Sequence, residues 1–165
     1  AGICNFTERK GRGKHATISY SLDTQTRNNK KATAKRTIVD LLTNYGKCIV
    51  STIAPAKLTA SDNPSQDKLQ QEALLSDLEE VNLFIKSESA SRGLQLINLA
   101  KTCYLSSRKR RGKSRKTVWQ FTDKELPDGV HLSEKLQDRW AGILATGIRC
   151  HLGKEEVIVS DGEGD

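Results

Sequence analysis

Aromatic residues are scarce in this chain: three Phe, three Tyr and two Trp, 5% of 165 residues. A surface that stacks many bases needs many exposed rings, so a broad stacking platform is not expected. Long apolar runs are missing as well. No stretch approaches the roughly 18 to 20 residues that span a bilayer, and no secretory signal pattern opens the sequence. An intracellular protein is the expectation. Closely spaced cysteines are also absent. Cys4, Cys48, Cys103 and Cys150 are scattered without a C-x-x-C pair, which argues against structural zinc and for reduced, half-buried thiols. Cys48, Cys103 and Cys150 are expected in or beside strands.

The histidines, His15, His131 and His151, sit in no H-x-x-x-H or H-E-x-x-H setting. Gly11 to Lys14 contains a glycine-basic run but lacks the spacing of a phosphate loop, and no strand is expected before it. Neither a cofactor nor a metal site nor a catalytic centre is therefore expected, and the chain reads as a non-enzyme.

What is present is charge, unevenly placed. Residues Ser106 to Thr117 hold Arg108, Lys109, Arg110, Arg111, Lys113, Arg115 and Lys116 with no acid between them. The chain carries 27 Lys and Arg against 20 Asp and Glu, so its net charge of +7 equals the charge of this one segment. Apolar, β-prone residues lie on both sides, which predicts a β-hairpin pairing Thr102–Ser107 with Thr117–Thr122 around a basic loop. That pairing would place Tyr104 and Trp119 within reach of each other or on opposite faces, depending on register. Like charges at such a tip would repel one another in the free protein, and a polyanion would relieve the repulsion. If five to seven phosphates were contacted, binding to duplex DNA would fall with salt at a log–log slope of roughly −4 to −6.

A second basic window spans residues 9–36, where Asp23 is the sole acid. It contains Arg9, Lys10, Arg12 and Lys14 in an amino-terminal stretch, 1–14, expected to be a flexible basic arm. It also contains Lys30, Lys31, Lys35 and Arg36 in the first turns of an expected helix, where cations oppose the helix dipole and so call for a reason other than stability.

Between these windows the periodicities alternate between strand and helix. Ile18, Tyr20 and Leu22 alternate with polar residues as in a half-buried strand. After a turn-rich stretch from Asp23 to Asn29, a helix is expected up to Tyr45. Ala34, Ile38, Leu41, Leu42 and Tyr45 fall on one face, and Gly46 is its stop. Lys47 to Ile53 reads as a strand ended by Pro55. Asn63, Pro64 and Gln66 mark the start of a helix running to about Lys86. Its stripe is Leu74, Leu78, Val81 and Ile85, and its other face is acidic, with Asp67, Glu72, Asp77, Glu79 and Glu80. That face must point away from nucleic acid or receive a basic partner. A break at Ser87–Ser91 precedes a short helix built on Leu94, Leu96, Ile97, Leu99 and Ala100. Beyond the basic hairpin, Ser133 caps a helix lined by Leu136, Trp140, Ile143 and Leu144 and ended by Gly147. Ile148–Leu152 and Glu156–Ser160 then read as a closing hairpin, and residues 161–165 as an acidic tail.

The expected fold class is α+β: one compact domain, residues 15–160, of about four helices with short antiparallel hairpins. The order helix, helix, basic hairpin over residues 64–122 resembles the latter part of a winged-helix domain. The resemblance puts Gly93–Lys101 in the place of the recognition helix.

The expected function is non-enzymatic binding of nucleic acid, RNA or DNA, through phosphate contacts from the 108–116 segment and the 9–36 window. The alternative is a viral matrix-type or accessory protein that meets an anionic membrane surface and forms homo-oligomers by setting its basic face against the acidic face of a neighbour. Lys109–Lys116 also has the composition of a nuclear import signal.

Overall fold

Asp23 and Asn63 decide where the two long helices that carry the core begin. The computed structural model describes residues 3, 6–11, 16–106, 108–110, 117–119, 124 and 126–160, with the backbone alone at 102, 104–106, 108–110, 117–119 and 154–160. Asp23 is extended, and its carboxylate accepts from the Thr26 backbone N–H at 2.7 Å, which opens helix α1, Thr24–Asn44. The helix thus starts six residues before the expected Lys30, inside the stretch read as a turn. Thr24 to Asn29 carries no apolar residue, so periodicity gives no sign of a helix there. Asn63 accepts from Gln66 N–H at 3.2 Å with Pro64 in the first turn, and helix α2 runs over Pro64–Ser91.

The expected break at Ser87–Ser91 is absent. Ser89 instead donates to the Ile85 carbonyl within the helix at 2.7 Å. The helix ends at Gly93, whose φ of +65° lets Leu94 N–H reach back to Ser89 O at 2.9 Å and Gly93 N–H to Ala90 O at 3.2 Å. This is the Schellman pattern that left-handed glycine permits.

Among the described residues, four helices combine with three two-stranded sheets in an α+β fold. Strand β1, Glu8–Lys10, pairs antiparallel with β2, Thr17–Ser19. Much of the stretch read as a flexible arm is therefore built into the fold, and Phe6 just before it is completely buried. Strand β3, Ile49–Ser51, pairs in parallel with β4, Gln95–Ile97. The parallel pairing replaces the helix expected over 94–101. Leu96 and its neighbours gain a strand partner, and helix α3 begins only at Leu99, running to Ser106. The candidate recognition helix Gly93–Lys101 is thus a turn, a strand and the first residues of α3.

Strands β5, Arg108–Arg110, and β6, Thr117–Trp119, form the basic hairpin. Helix α4, Glu134–Ser160, then runs through the region read as a closing hairpin. Ile148 and Leu152 continue the helical spacing begun by Leu144. Gly147 does not stop the helix; it lets α4 approach β4, since a Cβ there would sit 2.9 Å from Ile97 Cδ1.

Helices α1 and α2 pack against each other over Ile18, Tyr20, Ala34, Ile38, Leu42, Leu74, Leu78, Val81 and Ile85. Leu41 and Tyr45, expected on the buried face of α1, are instead exposed and border an apolar recess of ≈ 280 Å³ beside β3. The chain after β3 has no helix or strand assignment over 52–59, yet residues 52 to 58 are buried or half-buried. Side chains and backbone from four directions hold it. Thr52 N–H meets Ile97 O at 3.1 Å. Asn82 brackets Ile53, accepting from its N–H at 2.7 Å and donating to its carbonyl at 3.0 Å. Gln71 does the same for Leu58 N–H and Ala56 O, both at 2.9 Å. Lys57 N–H meets Gly129 O at 2.8 Å, and Thr59 exchanges two 2.9 Å bonds with Ile18. Buried backbone groups must be paired, and here α2 amides stand in for the missing strand.

Gly129 sits at φ +82° with the space for a Cβ already filled: Lys57 O would be 2.5 Å away. Gly129→Ala should lower unfolding stability by at least about 2 kcal/mol, from left-handed strain and the backbone clash together. Gly142→Ala, in open space on α4, should raise it by up to about 1 kcal/mol. Urea denaturation of the two variants beside the parent checks both signs.

Candidate nucleic-acid interface

The cations of the first basic window divide sharply once the helices are packed. Arg27, Lys31 and Lys35 follow one another at helical spacing on α1 and face Asp77 and Glu80 on α2. Arg27 grips Asp77 with two bonds, Nε to Oδ2 at 2.8 Å and an Nη to Oδ1 at 2.9 Å. Tyr20 donates its hydroxyl to the same Oδ2 at 2.5 Å, and Lys31 Nζ lies 3.4 Å from Oδ1. Lys31 and Lys35 each reach Glu80 at 2.6 Å. Lys30 donates to the Phe6 carbonyl at 2.9 Å, pairs with Glu8 at 3.3 Å and lies 5.6 Å from the Tyr20 ring centre. The acidic face of α2 does receive a basic partner, and for Asp77 and Glu80 that partner is helix α1 of the same chain.

The titrations follow from this geometry. Burial pushes the Asp77 carboxyl up, but the hydrogen bonds from Arg27 and Tyr20 and the nearby cations outweigh burial and hold it below its ordinary value. Burial, and then the Asp77 carboxylate, push Tyr20 far up. The Asp77 hydrogen bond raises Arg27, and the Glu80 hydrogen bond raises Lys31. Glu80 is lowered by its bonds to Lys31 and Lys35.

The remaining candidates of that window are placed differently. Arg9 and Lys10 are exposed on β1, and Arg36 is exposed on α1. Arg12 and Lys14 lie outside the described residues.

In the second window, β5 and β6 pair antiparallel, with Arg108 opposite Trp119, Lys109 opposite Val118 and Arg110 opposite Thr117. A hairpin does form here, and its second strand lies within the expected Thr117–Thr122, but its first strand is Arg108–Arg110 and not Thr102–Ser107. Residues 102–106 belong to α3, so Tyr104 is helical, and Trp119 is the register partner of Arg108. The first three cations therefore sit in the ladder itself. Arg111, Lys113, Arg115 and Lys116 lie outside the described residues.

Chemistry other than charge is thin. Among the described residues no three His, Cys, Asp or Glu side chains converge as a metal site would require. Cys103 lies in α3 and Cys150 in α4, not beside strands. Burial raises the Cys103 thiol to about 11, which leaves it protonated and unreactive near neutral pH. His131 Nδ1 sits 2.5 Å from Asp128 Oδ2 and closes the turn before α4. Burial pushes Asp128 up, but the His131 and backbone hydrogen bonds bring it to about 2. Among the described residues, no helix is long and apolar enough to cross a membrane. No protein-family model, no curated protein and no solved structure matches this chain.

The buried carboxylate gives a direct test. Asp77→Ala leaves Arg27 and Tyr20 without their partner and should cost about 3–5 kcal/mol, against less than about 1 kcal/mol for Lys35→Gln at the more exposed Glu80 pair. The folded value of Asp77 lies below its unfolded one, so its stabilisation is complete above the ordinary carboxylate range. It is lost as pH falls through the folded value. Asp77→Asn should accordingly flatten the acid side of the stability profile, measured by denaturant unfolding at a series of pH values.

Proposed function

We propose that this chain is a non-enzymatic nucleic-acid-binding protein that contacts the phosphate backbone, with the β5–β6 hairpin and its connection as the principal contact element. One observation carries the reading. The whole net charge of +7 resides in the seven cations of 108–116, and three of these occupy a strand paired with residues 117–119. A two-stranded ribbon ending in a cationic connection fits a groove or straddles a backbone. The sorting of the α1 lysines supports the same emphasis. Lys30, Lys31 and Lys35 already have anionic or carbonyl partners inside the molecule, so the 108–116 segment, with Arg9, Lys10, Arg12, Lys14 and Arg36, bears most of the contact. The same basic run serves nuclear import in this reading. A reporter fused to residues 106–117 should then accumulate in nuclei, and an even distribution would remove that part.

Neutralising Arg110, Arg111, Lys113 and Arg115 together to Gln should weaken binding about equally for unrelated sequences. It should also make the salt slope shallower by roughly 3 to 4. Anisotropy titrations of the full chain with DNA and RNA at several salt concentrations read both quantities. An unchanged affinity and slope would remove the hairpin from the site. Binding to acidic liposomes, with none to nucleic acid, would replace the reading with one of membrane attachment.

A further inference from the structure

The second hairpin, β1–β2, has properties that a flexible arm lacks. Its base is fixed in the core. Phe6 is fully buried with its carbonyl held by Lys30 at 2.9 Å, and Ile18 on β2 exchanges two hydrogen bonds with Thr59. The register sets Arg9 opposite Ile18 and Lys10 opposite Thr17. Glu8, the acid beside them, is engaged by Lys30 at 3.3 Å. Arg9 and Lys10 themselves are exposed and have no ion pair among the described residues. The strand therefore presents two exposed cations, without an ion pair among the described residues, from a backbone already ordered, so a polyanion that meets them avoids the cost of ordering the base of the hairpin.

The rings nearest in sequence point to the form of that polyanion. Phe6 and Tyr20 are 0% and 1% exposed, and neither is available for a base to stack on. Single strands are held largely by stacking on exposed rings, whereas a duplex offers dense, regular phosphate charge with its bases already stacked.

We infer that β1–β2 is a second contact element of the interface and that its partner is double-stranded nucleic acid held by its phosphates. This rests on the proposed function. The test uses the full chain with a short duplex and with its separated strands, comparing the parent with R9Q/K10Q and with K31Q/K35Q. The duplex should bind more tightly than either strand. R9Q/K10Q should weaken duplex binding roughly 10- to 100-fold at about 0.1 M salt and make the slope shallower by about 2. K31Q/K35Q, at residues already paired internally, should lower the melting temperature and leave the slope as in the parent. The charge-preserving R9K/K10R should bind like the parent, which separates loss of charge from loss of fold.

Parent-like affinity and slope in R9Q/K10Q would overturn the assignment of β1–β2, even where the 110–115 variant weakens binding. Equal or tighter binding of single strands would overturn the duplex assignment. No binding of the parent to any nucleic acid would remove the proposed function itself, and this inference with it.

Discussion

The Asp77 carboxylate is the interaction on which the rest of this structure depends. It is buried in the seam between α1 and α2 and is satisfied from two elements at once, Tyr20 after β2 and Arg27 with Lys31 on α1. Taking a carboxylate out of water is unfavourable unless its oxygens are fully paired. That requirement fixes the rotation and height of α1 against α2 far more tightly than Ala34, Ile38 and Leu42 do by packing alone, because apolar contacts are non-directional. With α1 so placed, Lys31 and Lys35 come within reach of Glu80, and Lys30 comes within reach of Phe6 and Glu8. The amino-terminal hairpin is tied to the same seam through Lys30.

One consequence is a division of labour among positive charges that composition cannot reveal. Cations facing α2 stabilise the fold, and Arg9 and Lys10 on β1 are exposed. The same division accounts for a chain whose acidic helix lies beside a basic window without weakening the positive surface elsewhere. Asp77 and Glu80 neutralise cations of α1 that would otherwise repel one another.

Much of the fold could be read from the residues because local signals dominated there. Asn63, Pro64 and Gln66 announce the start of α2, and Leu74, Leu78, Val81 and Ile85 announce its buried face. Of the basic hairpin only the second strand is legible, in the β-prone run after the charges; the first strand lies in the charge run itself, and the flank before it is helical. Other elements are decided by tertiary contact. Thr24 to Asn29 is polar throughout and becomes helical because Asp23 caps it and Arg27 finds Asp77. Leu94 to Ile97 has the apolar content of a short helix and becomes a strand because β3 lies parallel to it. Gly147 resembles a stop and is a point of close approach to Ile97. In the candidate site, the number of cations was legible but their availability was not. The pairs Arg27–Asp77 and Lys35–Glu80 join residues 50 and 45 positions apart, a distance over which no periodicity speaks.

The 52–59 segment, buried or half-buried from Thr52 to Leu58, has a consequence for how the molecule assembles in time. Its hydrogen-bond partners are separated from it by long stretches of chain: Asn82 by 29 residues, Ile18 by 41 and Asn98, bonded to the Thr52 hydroxyl, by 46. Each closure costs loop entropy before any contact rewards it. Helices α1 and α2 can nucleate from local signals, but the segment can lock only when β2, α2, β4 and the Gly129 turn have all arrived around it. Pairing of this strip therefore depends on elements far from it in sequence. Such non-local topology sets a slower pace than the helical content alone would suggest.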